Sequence, residues 1–206
     1  MSSLPATPDA RTGPSPTTPA RERILEAAYR LFTMRGLRAV GVDTIIARAG
    51  VAKMTFYRHF RSKEGLALAV LERRETLWTH EWFEGEVKSR ANQPEERLLA
   101  IFDIFDEWFQ RPDYEGCFFV NTLLETPERG DPIREASNRQ LANVRAIVGS
   151  LAAEAGVAQP DDFAHKWQIV LIGAIVAATE GDRRAASRAR DLGRLLLESE
   201  LRRPVP

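Results

Sequence analysis

The stretch Val42-Asp-Thr-Ile-Ile-Ala-Arg-Ala-Gly-Val-Ala-Lys-Met-Thr-Phe-Tyr-Arg-His-Phe60 decides the fold. It reads as two short helices joined by a tight turn. Ile45, Ile46 and Ala49 give the first helix an apolar side, and Gly50 stands where the chain must change direction. Glycine takes a positive φ without a Cβ clash, so one helix can end there and another begin at a steep angle. In the second helix Phe56 and Phe60, four residues apart, share the inward side, while Lys53, Met54, Thr55, Tyr57 and His59 lie wholly or partly on the others. A short outward face that is basic and rich in hydrogen-bonding groups suits the major groove of duplex DNA. The stretch is read as a helix-turn-helix.

The flanks fit a small three-helix unit. From Arg21 the apolar residues Ile24, Ala27, Ala28, Leu31 and Phe32 recur at helical spacing, and Gly36 closes that helix. Ser62 is an N-cap for the next helix, with Glu64 in its first turn. Residues 1–20 are Pro, Ser, Thr and Gly with few large apolar side chains, which predicts a disordered tail. Residues 21–66 hold ten Lys/Arg against four Asp/Glu, a net +6, whereas residues 67–206 hold eighteen against twenty-four, a net −6. The overall charge of zero therefore conceals a basic head on an acidic body, an asymmetry that orients the molecule on a polyanion.

The turn Gly50-Val51, then Thr55-Phe56-Tyr57-Arg58-His59-Phe60, then Ser62-Lys63-Glu64 resembles the signature of the tetracycline-repressor (TetR) family of bacterial regulators. The resemblance covers residues 21 to about 70; beyond it the helical layout and the Gly116-Cys117-Phe118 stretch, which some branches carry, are similar. It implies an all-α protein in which residues 21–66 form the DNA-binding domain and 67–206 a helical ligand-binding and dimerisation domain. By their positions in the motif it implies base and groove contacts from Lys53, Met54, Thr55 and Tyr57. Phosphate contacts are expected from Tyr57, His59 and Lys63, joined by Thr44, Arg48 and Arg58. It implies a homodimer on a palindromic operator, with repression the commoner mode. One departure is that Gly41 and Ala52 stand where relatives often place Ser or Thr caps; a lost hydroxyl cap costs about 1 kcal/mol of helix stability.

The rest of the chain reads as helices. One runs from Ser62 to about Arg90, with Gly85 as the expected bend, and Pro94 opens the next at its first position. Residues 117–126 are taken as a short helix, followed by helices over roughly 133–155, 160–180 and 183–202. The 160–180 helix is apolar nearly all round, as a helix buried from several sides must be, and the resemblance makes it half of a dimer interface with the last helix. Each of the body's aromatics reads first as core filling. The resemblance implies that some line an effector cavity, and the candidates are Trp78, Trp82, Phe83, Phe102, Phe105, Trp108, Phe119 and Trp167, with Asn121, Thr122, His80 and Gln168 as polar groups.

Two other readings are weighed against this. His80 and Glu84 share a helix face, but the second histidine of a zinc-hydrolase pattern is missing, so neither metal, cofactor nor enzyme activity is expected. A DNA-organising protein without an effector would not need so large an aromatic body. The sole cysteine, Cys117, excludes an internal disulfide and suits a reducing cytoplasm. No run approaches the ~20 apolar residues of a membrane span, and no secretory leader is read at the N-terminus.

Overall fold

Helix ends fall where glycine and serine put them. The computed structural model describes residues 18–202, apart from the side chains of His80 and Glu81. Most of the expected tail, residues 1–17, lies outside the described residues. Helix α1 spans Ala20–Arg35 and stops at Gly36 (φ +80°); α2 spans Val42–Ala49 and stops at Gly50 (φ +60°). After α3 (Lys53–His59), the Ser62 hydroxyl accepts a 3.0 Å hydrogen bond from the Gly65 N–H and opens α4, Lys63–Glu75. Downstream are α5 (Glu84–Arg90), α6 (Pro94–Phe109), α7 (Phe118–Glu125), α8 (Pro132–Glu154), α9 (Pro160–Thr179) and α10 (Ala185–Leu201). The protein is all-α, and among the described residues there is no strand. Among them too, no helix is long and apolar enough to cross a membrane.

The segment expected to be one helix bent at Gly85 departs from that expectation. Residues 63–90 are helical throughout, but Thr76–Phe83 form a π-helix between α4 and α5, so the irregularity begins nine residues before Gly85. In a π-helix the i→i+5 pattern brings residues five apart onto one face. Trp78 and Phe83 are five apart and their rings stack at 4.9 Å with planes 11° from parallel. The stack explains why the wider register persists here: an α-helical register would point the two rings in different directions.

Packing divides the described residues differently from the head-and-body boundary drawn on sequence. One unit comprises residues 18–77 together with Cys117–Gln140, so α7 and the start of α8 group with α1 to α4. Its core includes Ile24, Ala28, Phe32, Ile45, Phe56 and Leu66, all nearly or fully inaccessible. Arg73 Nε donates to Glu22 Oε2 at 3.0 Å, tying α4 to α1. Tyr29 meets Phe118 edge-on at 5.5 Å, tying α7 to α1.

The other unit comprises Trp78–Gly116 and residues 141–202. At its centre α10 packs on α6 and α9 around Phe102, Phe163 and Trp167, with ring centroids 4.9 and 5.2 Å apart. Gly193 permits this approach, since a Cβ there would overlap Phe102 and lie 3.0 Å from Trp167. Lys166 Nζ donates to Glu200 at 2.8 Å and fastens α9 to α10. Arg90 grips Glu107 with two hydrogen bonds, of 2.5 and 2.9 Å, and joins α5 to α6; those bonds hold the Glu107 carboxyl below its ordinary range.

Candidate nucleic-acid interface

The motif helices bury one side and expose the other. Ile45 and Ala49 of α2 and Phe56 of α3 are buried, and Phe60 closes the same core just beyond α3. Arg21 lies over the Phe60 ring at 5.5 Å, which extends the support to the first turn of α1. On the opposite side Met54 is 80% exposed and Tyr57 44%, with Lys53, Arg58 and His59 exposed and Thr55 half-buried. The Tyr57 ring stands edge-on to Phe56 at 5.3 Å, which fixes its direction while leaving its hydroxyl outside. Thr44 and Arg48 are exposed on α2. An exposed ion pair of 3.7 Å between Lys53 and Asp43 places the first turns of α2 and α3 side by side. Such a pair contributes little to stability and yields readily to a phosphate.

Neither motif helix has a side-chain cap: Gly41 and Ala52 occupy those positions and make no capping hydrogen bond. No side chain therefore occupies the first-turn backbone N–H groups, although that of Thr55 already donates to the Ala52 carbonyl at 2.9 Å.

Lys63 is placed differently from its neighbours. Its ammonium donates to the carbonyls of Leu37 (3.0 Å) and Val40 (3.1 Å), and approaches that of Arg38 (3.5 Å). It braces the link between α1 and α2 from the start of α4. Carbonyls some 25 residues upstream leave no periodic trace in sequence. Lys63→Ala is expected to lower stability by about 1–2 kcal/mol, the worth of charge-assisted hydrogen bonds at a half-buried site. A thermal melt set against Arg58→Ala, whose exposed side chain predicts almost no change, checks this.

The candidate effector residues separate into three ring groups. Trp78, Trp82, Phe83, Phe105 and Trp108 form one network, continued by Phe109 and Tyr114. Phe102 and Trp167 belong to the α6–α9–α10 core described above. Phe119 packs on Phe118 in the unit that holds α1, where Thr122 is buried and Asn121 half-buried. The Gln168 amide is engaged by Arg145 (2.6 Å) and by the Leu141 carbonyl (3.0 Å). The His80 side chain lies outside the described residues. The buried indole N–H of Trp82 has no acceptor among the described residues. Cys117 is half-buried, and desolvation raises its thiol above the ordinary range, partly offset by the N–H groups of Val120 and Phe119.

Short apolar strips are exposed on α9 and on α10. Ile169 (73% exposed) and Val176 on α9 lie seven residues apart, and Leu192 and Leu195 (63%) on α10 lie three apart. Both spacings put the pair on a single helix face.

Comparison with known proteins places the chain in a family. Residues 24–70 match the family described as bacterial regulatory proteins, tetR family, and residues 94–192 the one described as tetracyclin repressor-like, C-terminal domain. The HTH-type transcriptional repressor NemR of Escherichia coli is 28% identical over 66% of this chain and 68% of its own length. The HTH-type transcriptional activator FasR of Mycolicibacterium smegmatis is 27% identical over 87% of this chain and 78% of its own. In fold, the crystal structure of a TetR-family transcriptional regulator from Streptomyces coelicolor superposes with a TM-score of 0.79. It is 24% identical and covers 88% of this chain and 95% of that one.

Proposed function

Since the chain belongs to the tetracycline-repressor family of transcriptional regulators, we propose that it binds a palindromic operator as a homodimer and is released by a small apolar or aromatic effector. Residues 21–66 read the DNA and 67–206 dimerise and take the effector, in the cytoplasm. Repression is the preferred mode, with NemR rather than FasR as precedent.

The observation that carries this reading is the outer face of α3. Met54 and Tyr57 are large side chains held in solvent directly above a buried Phe56, which is an arrangement suited to docking and of no use to a core. Lys53, Met54, Thr55 and Tyr57 are assigned to base edges and the groove wall. Thr44, Arg48, Arg58 and His59 are assigned to phosphates, with the Tyr57 hydroxyl, and Lys63 acts beside them through the loop it braces. The exposed strips on α9 and α10 support the dimer, because soluble chains seldom leave such strips in water. Two readers on a two-fold axis then match a palindrome with half-sites about one helical turn apart or more. For the effector, the ring network around the π-helix is the part of the aromatic set that stays together.

The test uses a duplex selected from a random pool by the wild-type protein. Lys53→Ala and Tyr57→Phe are each expected to weaken its binding by about 1–2 kcal/mol, roughly tenfold, the usual worth of a good groove contact. Thermal midpoints should stay unchanged, since both side chains are exposed. Equal gel-shift affinities for the three proteins would remove the assignment, and selection of no sequence at all would indicate a DNA-organising protein.

A further inference from the structure

The link between α1 and α2, Gly36 to Gly41, is held from a second side. Glu125, the last residue of α7, directs its carboxylate at this loop: Oε2 accepts from the Arg38 N–H at 3.3 Å. A Cβ placed on Gly36 would lie 2.6 Å from Glu125 Oε1 and 3.0 Å from its Cδ. Gly36 therefore serves two needs at one position, a φ of +80° and room for the carboxylate. The loop thus sits between a cation, Lys63 on its carbonyls, and an anion, Glu125 on its N–H. Charged partners of both signs satisfy the backbone where the chain has no helix to do so.

Glu125 is itself set in place. Arg134, in the first turn of α8, donates to the carbonyls of Leu123 (3.2 Å) and Thr126 (2.7 Å), which caps the end of α7. Hydrogen bonds thus hold the end of α7 to α8 on one side and, through Glu125, to the loop on the other, and α2 begins two residues after Val40. Glu125 lies within the stretch that matches the family's C-terminal domain, while Gly36 and Arg38 lie within the N-terminal match.

We propose that Glu125 is a positioning residue for DNA recognition: its carboxylate on Gly36 and Arg38 fixes the entry to α2, and so the aim of the α2–α3 pair. α7 then bears directly on the DNA reader, alongside the covalent route through α4. This deepens the DNA-binding reading and rests on it. Glu125 touches no DNA in this assignment; it removes freedom from the loop before binding, so that less has to be lost on the duplex.

The experiment compares full-length wild type, Glu125→Gln and Glu125→Ala. Glutamine keeps the size and an acceptor oxygen but not the charge, so it preserves the fold if alanine does not. Exchange of the Arg38 amide proton, followed by NMR without DNA, should accelerate in the order wild type, Gln, Ala. On the selected duplex the affinity should fall in the same order, by about five- to tenfold for alanine, the lower part of the range of site-to-site couplings. Because no phosphate contact is lost, the slope of log affinity against log salt should not change. A role confined to folding would instead lower the thermal midpoint and leave the affinity of the folded fraction untouched. Wild-type exchange at Arg38 in both variants, or wild-type affinity in both, overturns the proposal. If the wild type selects no duplex, the DNA-binding reading fails and the proposal with it, whereas the exchange series still reports whether the bond exists.

Discussion

A chain carrying Leu192→Asp and Leu195→Asp is expected to elute as a monomer and to lose affinity for a palindromic duplex by at least about a hundredfold, the lower end of what linking two binding modules contributes. Both leucines are exposed on α10, and their replacement leaves the core formed by Ala189, Gly193 and Leu197 in place. The carboxylates would have to leave water if two copies met through this strip, and an unpaired buried charge of this kind is prohibitive for association. Helix content should stay close to wild type. Light scattering on the eluate gives the mass, and titration of a palindrome and of a single half-site separates the two effects. On the half-site, variant and wild type should bind alike. A variant that remains dimeric removes the strip from the interface; a monomeric variant with undiminished affinity removes the need for two readers.

The second large effect is on the core. Trp167→Ala is expected to destabilise the chain by about 3–5 kcal/mol, the range for truncating a buried aromatic to alanine. At a few degrees per kcal/mol for a chain of this size, the melting temperature should fall by roughly 8–15 °C. Trp167 is fully inaccessible and touches Phe102 and Phe163 on either side, and Gly193 sits against its far edge. The cavity left behind can collapse little among three helices. Trp167→Phe should do much less harm. It loses volume, but it also removes a buried N–H without an acceptor among the described residues, whose desolvation penalty is about 1–3 kcal/mol. The two terms oppose each other, so a loss of the same size for phenylalanine as for alanine would show that the indole nitrogen finds a partner in solution.

Much of this was legible in the residues, and the reason is local. The α1 stripe, the turn at Gly50, the Ser62 cap and the inward pair Phe56 and Phe60 all depend on neighbours within four positions, where spacing carries the information. The exposed side of α3 follows from the same spacing. What sequence concealed depends on distant partners or on subtle register. In Thr-Leu-Trp-Thr-His-Glu-Trp-Phe the apolar positions fit an ordinary helix as well as a wider one, because eight residues cover barely two turns. The position of Lys63 in the motif and its charge fit a phosphate ligand; its three carbonyl partners become visible only once α1 and α4 are packed. The grouping of Cys117–Gln140 with α1 to α4 likewise rests on contacts such as Tyr29 with Phe118 across some ninety residues. The candidate effector residues rest on residue type and on the family resemblance, and neither says which rings share a core.

The stacked pair Trp78 and Phe83 also has a practical use. Because the contact exists only while residues five apart share a face, the emission and near-ultraviolet dichroism of Trp78 form a built-in gauge of the π-helical turn. The chain needs no added dye for it: with Trp82, Trp108 and Trp167 replaced by phenylalanine, the remaining indole would report optically whenever a compound, a duplex or a change of temperature rewinds that segment.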